Sequence, residues 1–298
     1  MFNIIKIMKK IAFIVDTSSN IKNGELKDVY VLPLTINVTN KKTNETKSYH
    51  DGVDITIKDV AKYLNQKDFI VTTAGAATGD IMNLVEKIND KYDEIYALPI
   101  PKYLSGSANA WEIVAKEYDK LTVGVENKEV VWPVNWTIAE LQEMAKNNTL
   151  NPKTFKEYIT KVADSFAAVL FVSDMTQLVK GGRVSNFKSL LIKMLKLKIV
   201  ITCDKNGLKF FKTSKDLSKG FNIVADEYKK RISGFSLDKL KKVCILFGSS
   251  NEKEPEIIEL VKHIKKSIPS TCEIIYGQIP NVILAHTGDK ALVVAFEI

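Results

Sequence analysis

Ser105, Gly106 and Ser107 form the stretch whose residue types are best suited to hold an anionic ligand. An apolar run over 95–100 precedes them, and helical spacing of apolar residues begins at Trp111, so a strand-to-helix turn is predicted here. The first N–H groups of a helix have no partner within it, and the helix dipole favours an anion there. Gly106 would let a ligand approach the backbone, and the two hydroxyls add donors. The competing interpretation is an ordinary serine N-cap.

Two further polar loops follow predicted strands. Residues 16–20 come directly after the first apolar run, and Thr72 and Thr73 follow the apolar pair at 70–71. Ligands of open α/β sheets gather at the carboxyl ends of the strands, which makes both loops candidate ligand positions. The alternative is a set of plain turns, which the same small polar residues favour.

Arg183 and His286 are the two candidate side chains with basic groups. Arg183 follows two glycines, which would present a guanidinium able to bind a carboxylate or phosphate through paired bonds. The alternative is a glycine turn with a surface arginine. His286 follows an apolar run and precedes Thr287, so we expect it to point inward from a strand end. A buried structural histidine is the alternative.

Several chemistries lack their sequence signature. No glycine-rich nucleotide motif and no GxSxG nucleophile turn is present, and the histidines show no metal-binding spacing. The three cysteines are far apart in apolar runs, which is typical of buried, reduced thiols. We therefore predict no cofactor and no metal. Ser105 and His286 could meet an aspartate in space as a hydrolase triad, but no motif indicates it.

The composition of the 298 residues is that of an ordinary globular chain, with 45% hydrophobic and 26% charged residues. The net charge of +8 comes from scattered lysines, with no basic stripe interleaved with aromatic residues, so no nucleic-acid partner is predicted. No apolar run approaches the length of a membrane span, and no secretory leader is recognisable. These features predict a cytoplasmic protein, whose start at Met1 or Met8 stays open.

The order of predicted elements indicates two domains. Strand and helix patterns alternate to about residue 150, which predicts a mainly parallel three-layer α/β/α domain over 1–155. A hairpin signal at Asn206 and Gly207, followed by mixed helices and strands, predicts an α+β domain over 156–298. A ligand site between the two domains is expected.

Individual elements follow from local patterns. We predict one strand region over 29–38, a charged turn over 40–47 and a strand over 130–134. A short helix is predicted over 59–64, with Thr56 as its N-cap.

Taken together, the polar segments resemble the DegV family in order and approximate spacing over nearly the whole chain. The segments that carry the resemblance are Val15 to Ser19, Leu32 to Leu34, Tyr49 to Asp54, Thr72 and Thr73, Leu104 to Ala108, Leu178 to Ser185, and Ile283 to Gly288. Several segments depart from the family pattern, including Val130 to Trp136, which lacks its Asp-Ser segment, and Val200, where a proline is usual. Thr73 to Ala76 replaces its Ser-Gln-Pro-Ser, and Gly288 to Lys290 replaces its Gly-Pro-Gly.

The resemblance implies a non-catalytic carrier that buries one long-chain fatty acid between its domains. It would present the carboxylate to a separate ATP-dependent fatty-acid kinase subunit for acyl-phosphate formation, with transient contact to an anionic membrane. The residues implied at the ligand are Thr72, Thr73, Ser105, Gly106, Ser107, Arg183, His286 and Thr287. The alternatives are a Ser/His acyl hydrolase, a small-molecule phosphotransferase, and a family member that acts only as an interaction protein.

Overall fold

The computed structural model describes residues 9–181, 197–233, 240, 242–249, 254–266 and 268–297. Its strands are β1 (Ile11–Asp16), β2 (Val29–Leu32), β3 (Thr35–Asn40), β4 (Thr46–His50), β5 (Phe69–Ala74), β6 (Glu94–Leu98), β7 (Leu121–Val123), β8 (Phe166–Val172), β9 (Lys198–Asp204), β10 (Gly207–Ser214), β11 (Lys242–Phe247), β12 (Glu273–Gln278) and β13 (Leu292–Glu297). The described α-helices are α1 (Ile57–Leu64), α2 (Thr78–Asn89), α3 (Ser107–Val114), α4 (Pro133–Lys146), α5 (Pro152–Ser165), α6 (Met175–Gly181), α7 (Leu217–Ser233), α8 (Pro255–Lys265) and α9 (Asn281–Thr287).

A four-stranded parallel sheet, in the order β2-β1-β6-β7, carries helices on both faces. Ala12 and Ile14 of β1 pack against α2 and α3. Phe13 and Val15 pack on the opposite face against α4 and α5. Successive strand residues point to opposite faces, so a strand covered on both sides must be apolar throughout. The continuous apolar run of β1 therefore lies in the middle of three layers, which confirms the predicted α/β/α architecture.

A six-stranded sheet, in the order β10-β9-β8-β13-β11-β12, organises the C-terminal half. Its neighbouring strands are antiparallel except for β11 and β12. Helices α7 and α8 cover one face, where Phe171 of β8 packs edge-on against Phe221 of α7. The other face turns toward the N-terminal half. This mixed architecture confirms the α+β prediction.

The hairpin predicted around Asn206 and Gly207 is present. Strands β9 and β10 pair from Asp204 and Gly207, with Lys205 and Asn206 as the two-residue loop. Gly207 has a φ of 89°, a backbone conformation that glycine adopts without steric penalty.

Pro33 divides the strand region predicted over 29–38 between two sheets. Strand β2 belongs to the parallel sheet, whereas β3 is the centre of a separate antiparallel sheet in the order β4-β3-β5. Proline has no N–H for a strand ladder, so a sheet boundary at this residue is physically reasonable. The prediction of a charged turn over 40–47 was also wrong in part. Strand β4 begins at Thr46, but its mostly exposed side chains provide no hydrophobic signal.

The predicted strand over 130–134 is wrong. Val131 has a φ of 61° and donates its N–H to the carbonyl of Ser18 at 2.9 Å. Pro133 then opens α4 at the first helical position. Proline is favoured at that position because the first helical N–H groups have no partner. The short helix predicted after Thr56 is confirmed, because Thr56 and Asp59 form a reciprocal capping box.

Helix α5 runs across residue 155, where the domain boundary was predicted. Phe155 and Ile159 of this helix pack under the parallel sheet, and the Phe155 ring lies 4.7 Å from that of Tyr96. The six-stranded sheet begins at Phe166, directly after the helix. The division into 1–155 and 156–298 stays a prediction. Within the residues that the model describes, no helix has both the length and the apolarity needed to span a bilayer.

Candidate functional site

A cavity lies between the six-stranded sheet and the loops and helices of the N-terminal half. It holds about 880 Å³ of space, including its opening to solvent. Its lining is mainly apolar, with a few polar groups, as in many small-molecule sites. The lining residues are Leu34, Thr73, Ala74, Gly75, Ile100, Leu104, Ser105, Val130, Val131, Phe166, Ala168, Leu170, Val172, Leu178, Ile201, Cys203, Leu208, Val282, Ile283, His286, Thr287 and Val293.

Strand β8 forms part of the cavity wall because its side chains alternate between two environments. Phe166, Ala168, Leu170 and Val172 face the cavity, whereas the residues between them lie on the face covered by α7. The six residue steps from Phe166 to Val172 correspond to roughly 20 Å of strand. The part of the cavity wall that β8 provides is therefore long and apolar.

The two ends of this wall differ in polarity. At the Val172 end, the N–H of Ser173 donates to the carbonyl of Thr287 at 3.0 Å. Thr287 and His286 also line the cavity, so this end is polar. Toward the Phe166 end, Ala168 is in register with Cys203, which is in turn in register with Leu208. The cavity thus has hydroxyl and imidazole groups at one end and mainly apolar side chains at the other.

His286 lies in the last turn of α9, which corrects the expectation that it follows a strand. The side chain is nearly buried, and its Nε2 atom lies 2.7 Å from Oγ1 of Thr73 on β5. When Nε2 carries the proton, it donates to Thr73, and the Thr73 O–H is then able to donate into the cavity. The Thr287 hydroxyl donates instead to the carbonyl of Ile283 at 3.1 Å.

Ser105 and Ser107 form a hydroxyl pair beside this end of the cavity. Their Oγ atoms lie 2.8 Å apart, and the Ser107 N–H also donates to Ser105 Oγ at 3.1 Å. The N–H of Ala76 donates to Ser107 Oγ at 2.9 Å. Helix α3 begins at Ser107 with Gly106 as its N-cap, so Ser105 is not in the N-cap position.

Gly75 is the glycine that this site requires. A Cβ at this position would lie 2.6 Å from Ser107 Oγ and 2.9 Å from Ser105 Oγ. The sequence singled out Gly106 instead, but its φ of −72° suits any residue, and a Cβ there would contact nothing within 4 Å. Gly75 comes directly after β5, two residues beyond Thr73. Its place next to these hydroxyl-bearing residues was the sequence signal that could have identified it.

The predicted ligand residues are only partly brought together. Thr73, Ser105, His286 and Thr287 line the cavity, and Ser107 contacts Ser105 from outside the lining. Thr72 and Gly106 do not line the cavity. Thr72 neighbours Thr73 on β5, and adjacent strand residues point to opposite faces. Arg183 lies outside the described residues, so its role stays a prediction.

Asp51 anchors the start of α9 and was missed as a site residue. Its carboxylate accepts hydrogen bonds from the Asn281 amide at 2.8 Å, from the Thr17 hydroxyl and from the Val282 N–H. Burial is the main cause that raises the Asp51 pKa to about 6, although these donors act in the opposite direction. The anchor joins the end of β1, the loop after β4 and the helix that carries His286.

The first polar loop has a structural role. Asp16 is fully buried and accepts from the backbone N–H groups of Ser18 at 3.0 Å and Ile100 at 2.7 Å. Strands β1 and β6 are neighbours at the point where the strand order changes direction, which is the usual ligand crevice of such sheets. The Asp16 carboxylate occupies this crevice between β1 and β6, and burial raises the pKa of Asp16.

Cys203 lies toward the apolar end of the cavity. Its Sγ atom is 3.1 Å from the Tyr103 hydroxyl, which donates to the Lys128 carbonyl at 2.7 Å. Burial raises the Cys203 pKa to about 12, so the thiol stays protonated at neutral pH. Within the described ranges, no group of three His, Cys, Asp or Glu side chains is placed to hold a metal ion.

A family model described as "Uncharacterised protein, DegV family" matches residues 10–298. The chain belongs to the DegV family. This DegV chain is 29% identical to the DegV domain-containing protein MG326 of Mycoplasma genitalium, and the match covers 95% of this chain and 97% of the relative. The family resemblance inferred from the sequence segments is thereby confirmed.

Two solved structures show the same fold as this DegV chain. A fatty acid binding DegV family protein from Streptococcus agalactiae superposes with a TM-score of 0.78 at 18% identity, covering 97% of this chain and 99% of that one. The Streptococcus pneumoniae Fatty Acid Kinase (Fak) B3 protein, loaded with linoleic acid, gives 0.75 at 15% identity with the same coverages. At these identities the comparison establishes the fold and no more.

Proposed function

We propose that this chain binds one long-chain fatty acid, with the acyl chain in the cavity and the carboxylate at its hydroxyl end. The observation that carries the proposal is a long apolar cavity that ends in Thr73, Ser105 and His286. The structural relatives support it, because the Streptococcus agalactiae protein is described as fatty acid binding and the Streptococcus pneumoniae protein is loaded with linoleic acid.

The two parts of the ligand would contribute differently to binding. Each buried methylene is worth about 0.8 kcal/mol, so a chain of about fourteen methylenes contributes on the order of 11 kcal/mol before the losses of association. A carboxylate could not be buried beside apolar side chains without donors, because an unpaired charge there is strongly unfavourable. The acyl chain would thus supply affinity, and the hydroxyl end would fix the orientation.

The proposed role is that of a carrier. The fatty acid would be presented to a separate ATP-dependent kinase, and this role is supported by the Streptococcus pneumoniae relative, which is named a Fatty Acid Kinase (Fak) B3 protein. The sequence has no glycine-rich nucleotide motif of its own. The Ser105 hydroxyl bonds Ser107, and Nε2 of His286 lies against Thr73, so no observation favours the acyl hydrolase alternative. ATP turnover by the isolated chain would contradict the carrier role.

A large side chain in the cavity wall tests the proposal. Ala168→Phe places a ring in the middle of the wall and should abolish binding of a long-chain fatty acid, because the ring and an extended chain cannot share the space. Ala139→Phe is the matched control, since Ala139 is exposed on α4 away from the cavity. Mass spectrometry of lipid extracted from purified protein, with fatty acid titration of the delipidated chain, measures both.

We expect wild type and Ala139→Phe to retain fatty acid and Ala168→Phe to lose it. The proposal fails if purified wild type yields no lipid and no added fatty acid binds. It also fails if Ala168→Phe, shown to be folded by its near-UV circular dichroism, binds the same acids as wild type.

A further inference from the structure

The hydroxyl pair has a definite hydrogen-bond direction, although the two Oγ atoms alone do not reveal it. Ser107 is buried, and its Oγ already accepts from the Ala76 N–H. Within the described chain, the acceptor in reach of the Ser107 O–H is Ser105 Oγ, at 2.8 Å. Leaving the proton of a buried hydroxyl unpaired is strongly unfavourable. The Ser107 O–H therefore donates to Ser105.

This direction determines what the Ser105 hydroxyl can offer a ligand. A serine hydroxyl has one donor and two acceptor lone pairs. Ser105 Oγ accepts from both the N–H and the O–H of Ser107, which occupies both lone pairs. Its own proton is left over, and Ser105 lines the cavity.

We infer that Ser107 is a positioning residue that makes Ser105 a pure hydrogen-bond donor and thereby makes the cavity selective for an acceptor-only carboxylate head group. This inference rests on the proposed function, and it explains why the cavity would bind a carboxylate more tightly than an alcohol. A carboxylate only accepts hydrogen bonds, whereas an alcohol brings a proton that needs an acceptor. Ser107 would act through Ser105, from outside the cavity lining.

The experiment compares stearic acid with octadecanol, which share chain length and differ in head group. Dissociation constants are measured on the delipidated full chain by displacement of a fluorescent acyl probe. The variants are Ser107→Ala, Ser105→Ala, the double variant, and Ser107→Thr, which keeps the hydroxyl. We expect Ser107→Ala to weaken stearic acid binding about tenfold and to change octadecanol binding less than about twofold.

The double variant separates positioning from general damage. If Ser107 acts through Ser105, Ser107→Ala should have little further effect on acid binding once Ser105 is alanine. Ser107→Thr should restore the preference for the acid over the alcohol. Unchanged acid binding in Ser107→Ala, equal losses for acid and alcohol, or additive losses in the double variant would each overturn the inference. Failure of wild type to bind either ligand would instead refute the proposed function.

Discussion

At the scale of single residues, the polar end of the cavity depends on a glycine that leaves room for two hydroxyls. Gly75 lies so close to Ser105 and Ser107 that any side chain must displace one of them. Real Cβ atoms do not approach other atoms to 2.6 Å, and a shift of either hydroxyl would break the pair. Gly106 lies between the same two serines but has open space around it.

These two glycines form a matched pair for a test. Gly75→Ala should weaken fatty acid binding by about tenfold, because it disturbs the hydroxyl pair that we propose orients the carboxylate. Gly106→Ala should leave binding unchanged and alter the free energy of unfolding by less than about 1 kcal/mol, since its φ suits alanine. Fatty acid titration and thermal unfolding of both variants measure this. Equal effects of the two substitutions on binding would be inconsistent with the close contacts at Gly75.

At the scale of elements, helix α9 is fixed by hydrogen bonds at its start, in its last turn and just beyond its end. Asp51 binds its first residues, and His286 in its last turn contacts Thr73 of β5. Beyond its end, the Asp289 carboxylate accepts from the Asn65 amide of α1's C-cap at 2.7 Å. These contacts fix the position of α9, and with it His286, relative to the antiparallel sheet.

The Asp51 anchor predicts a pH dependence of stability. Its folded-state pKa of about 6 lies above the ordinary 3.8, so the folded state binds the proton more tightly. The stabilisation of the folded state by this carboxyl is fully present below about pH 4, and it is lost as the pH rises through about 6. Because the pKa rises by about two units, the free energy of unfolding should fall by about 3 kcal/mol over this pH range. Asp51→Asn should remove this part of the pH dependence of the free energy of unfolding.

The measurement is urea unfolding of wild type and variant across the pH range from about 4 to 7. As the pH rises, the free energy of unfolding of Asp51→Asn should increase relative to that of wild type. Asp54→Asn is the control, because Asp54 lies in the same loop with a side chain that is 48% exposed. If the curves of wild type and Asp51→Asn stay parallel, the buried carboxyl does not titrate in this window.

At the scale of the whole molecule, the cavity lies between the two halves of the chain, within a hydrophobic core cluster to which both halves contribute. Its walls come from the six-stranded sheet on one side and from β5, the loop after β6 and α9 on the other. A ligand in this position contacts both halves, and these contacts exist only in the folded state. Ligand binding should therefore stabilise the chain as a whole.

Added fatty acid should raise the midpoint of thermal unfolding of the delipidated chain. At a free ligand concentration of 100 times Kd, the added stability is about 2.7 kcal/mol, which corresponds to a few degrees in a chain of this size. The rise should depend on ligand concentration and disappear in Ala168→Phe. A concentration-independent midpoint in wild type, measured by calorimetry, would argue against a ligand that bridges the halves.

Local patterns in the sequence determined much of the architecture. The continuous apolar run at β1, the Asn-Gly signal of the β9–β10 hairpin and the N-cap residue Thr56 each indicated the element that forms, because each signal acts within a few residues. The prediction of a strand over 130–134 failed since the apolar character of Val131 reflects packing in a loop and not strand pairing.

The sequence by itself determined the family, the three-layer and α+β architectures, and the hydroxyl-bearing segments from which the polar end is built. Only the tertiary structure decided that Thr73 rather than Thr72 lines the cavity, that Gly75 rather than Gly106 needs to be glycine, and that Asp51 anchors α9. The physical reason is that propensity and periodicity act between near neighbours in the chain. The distances that join Thr73 to His286, and Asp51 to Asn281, link residues more than two hundred positions apart.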